Sequence, residues 1–265
     1  MQLRRTKRAA HARHSTNHHI LILEDRTMPS KIDVVFIPAL LCDEQLYRDV
    51  ITAIGDQISA TVLIFPKPSL SESCADILTR APKKFILVGT SYGGNLALDI
   101  ALTAPERVIG LWLMGCDPGA PQQRGPDLPG GLEATPDAVI DMLAGLVVRP
   151  VDTAAAAVFN QMAHRIGGTA GAAQARALGS RSDRTDRLGE LKMPTLLIWG
   201  ADDPLVSPGV GEAMSACIEN ASWQVLPECG HLPTLEQPQK TATLFTAFVE
   251  QVRATVPAPD NARLG

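Results

Sequence analysis

Phe85-Ile86-Leu87-Val88-Gly89-Thr90-Ser91-Tyr92-Gly93-Gly94-Asn95-Leu96-Ala97-Leu98 runs from an apolar, strand-forming tetrad, through a glycine-flanked serine, into a helix-forming stretch that continues to Leu102. Strand, tight turn and helix in that order put Ser91 at the apex of the turn, its Oγ held away from the sheet where a substrate can reach it. Gly89 and Gly93 leave room for a strained backbone on either side. The helix that follows aims its free N–H groups at the same spot. Ser91 is therefore the expected nucleophile of an elbow.

A serine hydroxyl is a poor nucleophile until a base takes its proton, and the base must itself be oriented by a third group. Of the six histidines, His11, His14, His18 and His19 lie near the N-terminus and His164 lies in an alanine-rich helical stretch. His231 is different. It sits in Pro227-Glu228-Cys229-Gly230-His231-Leu232-Pro233, after the strand-like Ser222–Leu226 and before a helix starting near Gln237. A histidine on such a loop reaches a site at the strands' C-terminal ends. The acid is sought after the apolar run Thr195–Trp199, in Gly200-Ala201-Asp202-Asp203-Pro204. Asp203, third after the glycine and stiffened by Pro204, takes the orienting role. Asp202, as a turn former, and Asp117, just past the apolar run Ile109–Met114, stay open as alternatives. Ser, Asp, His is one of the known chain orders of the triad.

A tetrahedral intermediate also needs N–H donors for its oxyanion. The residue after the nucleophile, Tyr92, supplies one. The other is expected from the loop Pro38-Ala39-Leu40-Leu41-Cys42-Asp43 that follows Val34–Ile37, with Leu40 chosen and Leu41 as fallback. Leu41, Met142 and Leu232 are the residues expected to line the substrate pocket.

Apolar, β-branched runs recur at 33–37, 61–65, 85–88, 108–114, 195–199 and 222–226, separated by helical patterns at 44–54, 73–80, 94–102 and 209–218. Such alternation predicts an α/β fold, a mostly parallel sheet of about six to eight strands covered by helices on both faces. The gap from 117 to 188 is too long for a crossover. Its helical patterns at 136–146, 153–164 and 170–178 predict a small helical cap, entered through a Pro- and Gly-rich loop at 117–131. Met142, Leu146, Phe159 and Met162 fall on the apolar faces of those helices. The domain reading is a core of 28–116 and 189–256, a cap insertion of 117–188, a disordered basic extension of 1–27 and a disordered tail of 257–265.

Taken together, Gly-Thr-Ser-Tyr-Gly-Gly at 89–94, Gly-Ala-Asp-Asp-Pro at 200–204, Gly-His-Leu-Pro-Thr-Leu-Glu-Gln-Pro at 230–238 and the 38–43 loop make the chain resemble the α/β-hydrolase superfamily. It is most similar to the small bacterial members that include esterases, enol-lactonases and carbon–carbon bond hydrolases. The resemblance implies the α/β-hydrolase fold, a triad of Ser91, Asp203 and His231, and oxyanion donors at Leu40 and Tyr92. There are departures. Pro38-Ala39 replaces the superfamily's usual His-Gly, Phe65–Ser69 lacks its long Gly-rich loop, and its two opening strands are not apparent. A serine nucleophile argues against the haloalkane dehalogenases and epoxide hydrolases of the superfamily, which use a carboxylate.

Composition bounds the rest. A net charge of −4 gives no reason to expect nucleic acid as a partner, and no apolar stretch is long enough to span a membrane. The five cysteines are odd in number and lack metal-ligand spacing, which predicts a reduced, cytoplasmic protein without metal or cofactor. Cys42, Cys116 and Cys229 lie on loops expected to face the site. The expected partner is a small-molecule acyl substrate: a carboxylic ester, lactone or thioester, cleaved through an acyl-enzyme. A C–C bond hydrolase, an acyltransferase or perhydrolase, and a non-catalytic receptor on the same scaffold are the alternatives. A C–C hydrolase would want a basic residue for a substrate carboxylate, and Arg124, Arg149, Arg165 and Arg176 are the candidates in the cap. The small cap and the 4% aromatic share point to a modest aliphatic or carboxylated substrate.

Overall fold

The protein is described from a computed structural model covering residues 31–121 and 125–255. The expectations for 1–27 and 257–265, and for Arg124, lie outside the described residues.

Six strands form one sheet, every neighbouring pair parallel, in the order β2-β1-β3-β4-β5-β6. They are β1 (Ile32–Ile37), β2 (Ile58–Val62), β3 (Phe85–Thr90), β4 (Val108–Met114), β5 (Thr195–Gly200) and β6 (Ala221–Leu226). Between them run α1 (Arg48–Ile54), α2 (Leu70–Arg80) and α3 (Tyr92–Thr103), and after β5 come α8 (Pro208–Cys217), α9 (Pro233–Glu236) and α10 (Pro238–Thr255). The interval between β4 and β5 holds α4 (Leu128–Ala134), α5 (Pro136–Val147), α6 (Thr153–Ile166) and α7 (Gly168–Gly179). The α/β-hydrolase architecture expected from the sequence is the one found, with six strands among the described residues.

The central strands β3, β4 and β5 are almost wholly buried and largely apolar because both faces of the sheet are covered there. Val34, Phe36, Val88 and Trp112 pack on one side against Phe245, Phe248 and Val252 of α10, with the Trp112 and Phe245 rings stacked at 4.5 Å. Val35, Ile37, Leu87, Leu113 and Trp199 face the other side, under α2, α3 and α8. Burying each such side chain stabilises the fold by about 1.5–3 kcal/mol, which makes these central strands the rigid base for the loops at their C-terminal ends.

Three boundaries differ from the sequence pattern. The strand expected at 61–65 lies at Ile58–Val62, paired from Ile32↔Ile58 to Phe36↔Val62. It is an edge strand with Ser59 and Ala60 exposed, so its first half carries no apolar signal. It ends where Pro66 and Pro68 follow, residues with no N–H to continue a ladder. Helix α2 begins at Leu70, not at 73, because the Ser69 hydroxyl accepts the Glu72 N–H (3.3 Å), the first half of a Ser-x-x-Glu capping box. Within the stretch read as an entrance loop, residues 128–134 form α4. Asp127 caps it by accepting the Gly130 N–H (3.0 Å), and Pro129 sits in its first turn, where a missing N–H costs nothing.

The ends of β1 and β3 are tied to each other by one buried phenol. Tyr47 Oη donates to the Ile37 carbonyl (2.9 Å), so the Thr90 hydroxyl, 2.7 Å away, donates to Tyr47. Thr90 precedes Ser91, and Ile37 leads into the 38–43 loop. Tyr47→Phe removes both bonds while keeping the ring. It is expected to lower the unfolding free energy by about 1–2 kcal/mol, read from the midpoint of urea denaturation at unchanged slope.

Candidate active site

Ser91 sits between β3 and α3 with φ 55° and ψ −114°, a backbone rarely adopted by a residue with a side chain. The turn is held from both sides: Ser91 N–H donates to the Met114 carbonyl (2.8 Å), and its own carbonyl accepts Asn95 N–H (3.0 Å) and the Asn95 side-chain amide (3.2 Å). Gly89 and Gly93 are required here. A methyl group on Gly89 would overlap the Gly93 carbonyl, and one on Gly93 would overlap the Ile37 and Pro38 carbonyl oxygens. The Tyr92 N–H, at the first position of α3, has no carbonyl acceptor within the helix and is free to donate outward.

His231 and Asp203 come together. Asp203 Oδ2 lies 2.8 Å from His231 Nδ1, and both side chains are almost wholly buried. The other carboxylate oxygen, Oδ1, accepts the N–H groups of Leu205 (2.9 Å) and Val206 (3.0 Å). A carboxylate accepts, so Nδ1 carries the proton and Nε2 is left as the basic nitrogen. The two other acids are engaged elsewhere. Asp202 pairs with Arg149 (3.1 Å), and Asp117 accepts the Gly119 N–H and lies 3.6 Å from Arg181.

The corner after β4 touches both halves of this arrangement. Met114 holds the Ser91 N–H, and the next residue, Gly115 (φ 54°), abuts the imidazole. A methyl group on Gly115 would stand 2.9 Å from His231 Cε1 and Nδ1 and 3.4 Å from Asp203 Oδ2. The loop carrying His231 is fastened by Glu236, whose Oε1 accepts Gly230 N–H (2.9 Å) and whose Oε2 accepts Arg149 N–H (3.0 Å) from the turn between α5 and α6. Arg149 adds a bond from its guanidinium to the Glu228 carbonyl (2.9 Å).

In the 38–43 loop, Leu41 has φ 61° and donates its N–H to Gln174 Oε1 of α7 (2.9 Å). The fallback oxyanion donor is thus already engaged. Leu40 N–H has no hydrogen-bond partner among the described residues. A left-handed leucine costs roughly 1–2 kcal/mol, a strain of the kind found at functional loops.

A cleft of 1060 Å³ opens beside this constellation, between Met142, Leu143 and Leu146 of α5, Ala175 and Leu178 of α7, and the loop Pro204–Ser207. Ser91 and His231 are not among its lining residues; it lies over the loop that carries Asp203. Of the expected pocket residues, Met142 lines the cleft, whereas Leu41 and Leu232 are buried in the core. The arginines expected to serve a carboxylate divide. Arg149 is committed to Asp202, Arg165 to Asp43 (2.7 Å), and Arg176, which lines the cleft, to Glu133 (2.7 Å). Arg181 also lines the cleft and was not singled out by sequence, since nothing distinguishes an arginine just past a helix end. Its guanidinium donates to the Gly119 (2.9 Å) and Leu178 (3.1 Å) carbonyls, and burial lowers its pKa. Cys42, Cys116 and Cys229 are buried and their thiols are pushed up by desolvation, so they pack as small apolar groups. Among the described residues no cluster of three or more His, Cys, Asp or Glu could hold a metal ion, and no helix is long and apolar enough to cross a membrane.

A sequence model of the alpha/beta hydrolase family matches residues 42–244. The chain belongs to that family. It is similar to a 2-hydroxy-6-oxononadienedioate/2-hydroxy-6-oxononatrienedioate hydrolase of Paraburkholderia xenovorans, 32% identical over 178 residues that cover 62% of this chain and 61% of the relative. The chain thus spans about three fifths of the length of the curated relatives it matches first. Among solved structures, an enol-lactonase from Burkholderia xenovorans superposes with a TM-score of 0.74 at 15% identity, covering 83% of this chain and 92% of that one. A thermophilic esterase from Thermogutta terrifontis superposes with a TM-score of 0.73 at 20% identity, covering 84% and 91%. At such identities the superpositions speak for the fold, and they agree with the sheet described above.

Two outcomes follow from this geometry. Gly115→Ala presses on the imidazole from a left-handed position, and a fall in kcat of about 100-fold is expected with the far-ultraviolet circular dichroism of the native protein. Burial lifts the Glu236 carboxyl above its ordinary range, against the opposing pull of the N–H groups it accepts. The folded protein therefore binds this proton more tightly than the unfolded chain, and the group's contribution to stability falls as pH rises from the ordinary glutamate value through the raised one. Urea unfolding of wild type and Glu236→Gln across that window should show the wild-type advantage shrinking with rising pH.

Proposed function

We propose that the protein is a serine hydrolase that cleaves a small carboxylic ester, lactone or thioester through an acyl-enzyme on Ser91. The observation that carries this reading is the buried Asp203–His231 hydrogen bond, at the same sheet edge as a serine on a strained elbow. In the proposed cycle, His231 Nε2 takes the Ser91 proton while Asp203 holds the ring and stabilises the imidazolium that forms. Ser91 Oγ attacks the carbonyl carbon, and the oxyanion is received by the N–H groups of Leu40 and Tyr92. The proton passes from His231 to the leaving oxygen or sulfur. Water, deprotonated by the same imidazole, then releases the acid. Each oxyanion donor lowers the barrier by on the order of 3 kcal/mol.

The apolar part of the cleft, beside Met142, Leu143 and Leu146, suits an aliphatic acyl or alcohol group. A second reading is supported by the two arginines on its wall. Arg176 and Arg181 could receive a carboxylate, and the similar Paraburkholderia protein is named for a dioate substrate. In that reading the same triad hydrolyses a C–C bond of a carboxylated dienol-keto acid.

A rate panel of p-nitrophenyl esters of rising chain length, several lactones and one dienol-keto dicarboxylate separates the two. Preference for short esters or lactones supports the first reading, and turnover confined to the dicarboxylate overturns it in favour of the second. Ser91→Ala is expected to abolish turnover with an unchanged unfolding midpoint, and more than a few per cent of residual rate would refute the nucleophile. Asp203→Asn should cost about 10⁴-fold in kcat, and Asp117→Asn little; the reverse order would move the acid to the end of β4.

A further inference from the structure

The 38–43 loop is a turn closed by Cys42 N–H donating to the Ala39 carbonyl (3.0 Å), with Leu40 and Leu41 at its corners. Leu41 occupies the corner at which turns of positive φ favour glycine. Its side chain is wholly buried, so its N–H must find an acceptor inside the protein. That acceptor is Gln174 Oε1, 133 residues away on α7, itself 2% exposed. The same helix packs directly on the turn: a methyl group on Gly171 would lie 2.5 Å from Leu41 Cδ2. The Gln174 side chain therefore anchors, through the Leu41 N–H, the turn that carries Leu40, whose own N–H has no protein partner among the described residues.

We propose that Gln174 is a positioning residue for oxyanion stabilisation, holding the Leu41 N–H so that the neighbouring Leu40 N–H points at the developing charge. This rests on the proposed role of Leu40 as an oxyanion donor. It makes α7 a shared element, since Ala175 and Leu178 of the same helix form one wall of the cleft. Helix α7 thus touches the substrate region on one side and sets the oxyanion turn on the other.

The test compares wild type with Gln174→Met, which keeps the shape and removes the acceptor, and with Gln174→Glu, whose carbonyl oxygen accepts the same N–H. Each is assayed for kcat and KM on a p-nitrophenyl ester and for the rate of covalent labelling by a fluorophosphonate, whose addition needs the oxyanion donors. Gln174→Met should lose about 10–100-fold in both kcat and labelling rate with KM within twofold. Gln174→Glu should recover most of that loss. A merely structural role would lower the unfolding midpoint without this split and without rescue. Should Gln174→Met fail to fold, Gly171→Ala disturbs Leu41 with Gln174 intact, and a several-fold loss confined to kcat is expected. Wild type that is labelled, with Gln174→Met labelled equally fast, or with Gln174→Glu as impaired as Gln174→Met, overturns this inference alone. An unchanged kcat in Gly171→Ala would do the same. Wild type that is not labelled overturns the nucleophile reading, and this inference with it.

Discussion

The hydrogen bond between Asp203 and His231 sets the terms for the rest of the molecule. A carboxylate removed from water is costly unless its lone pairs are taken, and Asp203 meets that demand with three donors: one imidazole and two backbone N–H groups. The backbone donors come from Leu205 and Val206, so the loop after β5 must curl around its own aspartate. Pro204 stiffens that curl. The second acid of the pair, Asp202, is turned outward to Arg149, which leaves a single carboxylate on the ring. Asp203, the reading preferred from sequence over Asp202 and Asp117, is the carboxylate around which this loop folds.

Meeting these demands draws the helices between β4 and β5 into the site. Through its own N–H and its guanidinium, Arg149 reaches both the Asp202 side and the Glu228–Gly230 side, and Glu236 closes the loop from below. Gln174 makes an equivalent tie to the turn after β1. The α4–α7 segment therefore does more than roof the cleft. It supplies polar contacts that hold strained loops, and the strain sits at Ser91, Leu41 and Glu228, the three non-glycine residues with positive φ among those described. Each lies within three residues of a group assigned a part in the chemistry. Strain of this kind persists only when surrounding contacts over-determine it: Met114 and Asn95 hold Ser91, while Gln174 and Arg149, from between β4 and β5, hold Leu41 and Glu228.

The parts readable from sequence were those whose signal is local. A strand, a glycine-flanked serine and a helix announce themselves within a dozen residues, and alternating apolar runs gave five of the six strands close to their bounds. The sixth, β2, is half exposed at the sheet edge, so its boundary depends on pairing with β1, which no local pattern encodes. Helix α4 is hidden for a related reason. Its prolines and glycines read as loop, yet a capping aspartate and a first-turn proline are enough once α5 and α7 pack against it. The site shows the same division. Ser91, Asp203 and His231 stood out by motif, whereas Gln174, Arg181, Glu236 and Gly115 matter only through contacts with residues far away in the chain. A glutamine in an alanine-rich helix carries no mark of the leucine it holds 133 positions earlier.

This separation has a chemical consequence. The triad needs only local geometry and a low-dielectric setting, so the same serine, histidine and aspartate can serve ester, lactone, thioester or C–C cleavage. Choice among them must come from what meets the substrate before the carbonyl reaches Ser91. In the proposed function that surface is the cleft between α5 and α7, where Met142, Leu143 and Leu146 share the lining with Arg176, Arg181, Asp117 and Asp127. Arg176 is half exposed and already paired to Glu133, so moving it toward a ligand costs an ion pair of modest worth. Arg181 is half-buried, held by two carbonyls, and faces Asp117 at 3.6 Å, a separation too long for a direct hydrogen bond. Burial already disfavours its charge, so an incoming carboxylate would gain most from pairing there. In the proposed function an uncharged acyl chain would gain nothing from either arginine and would rest on the apolar side chains alone. In the proposed function, the balance between the arginines and the apolar side chains of this cleft, more than the triad, decides which carbonyl is attacked.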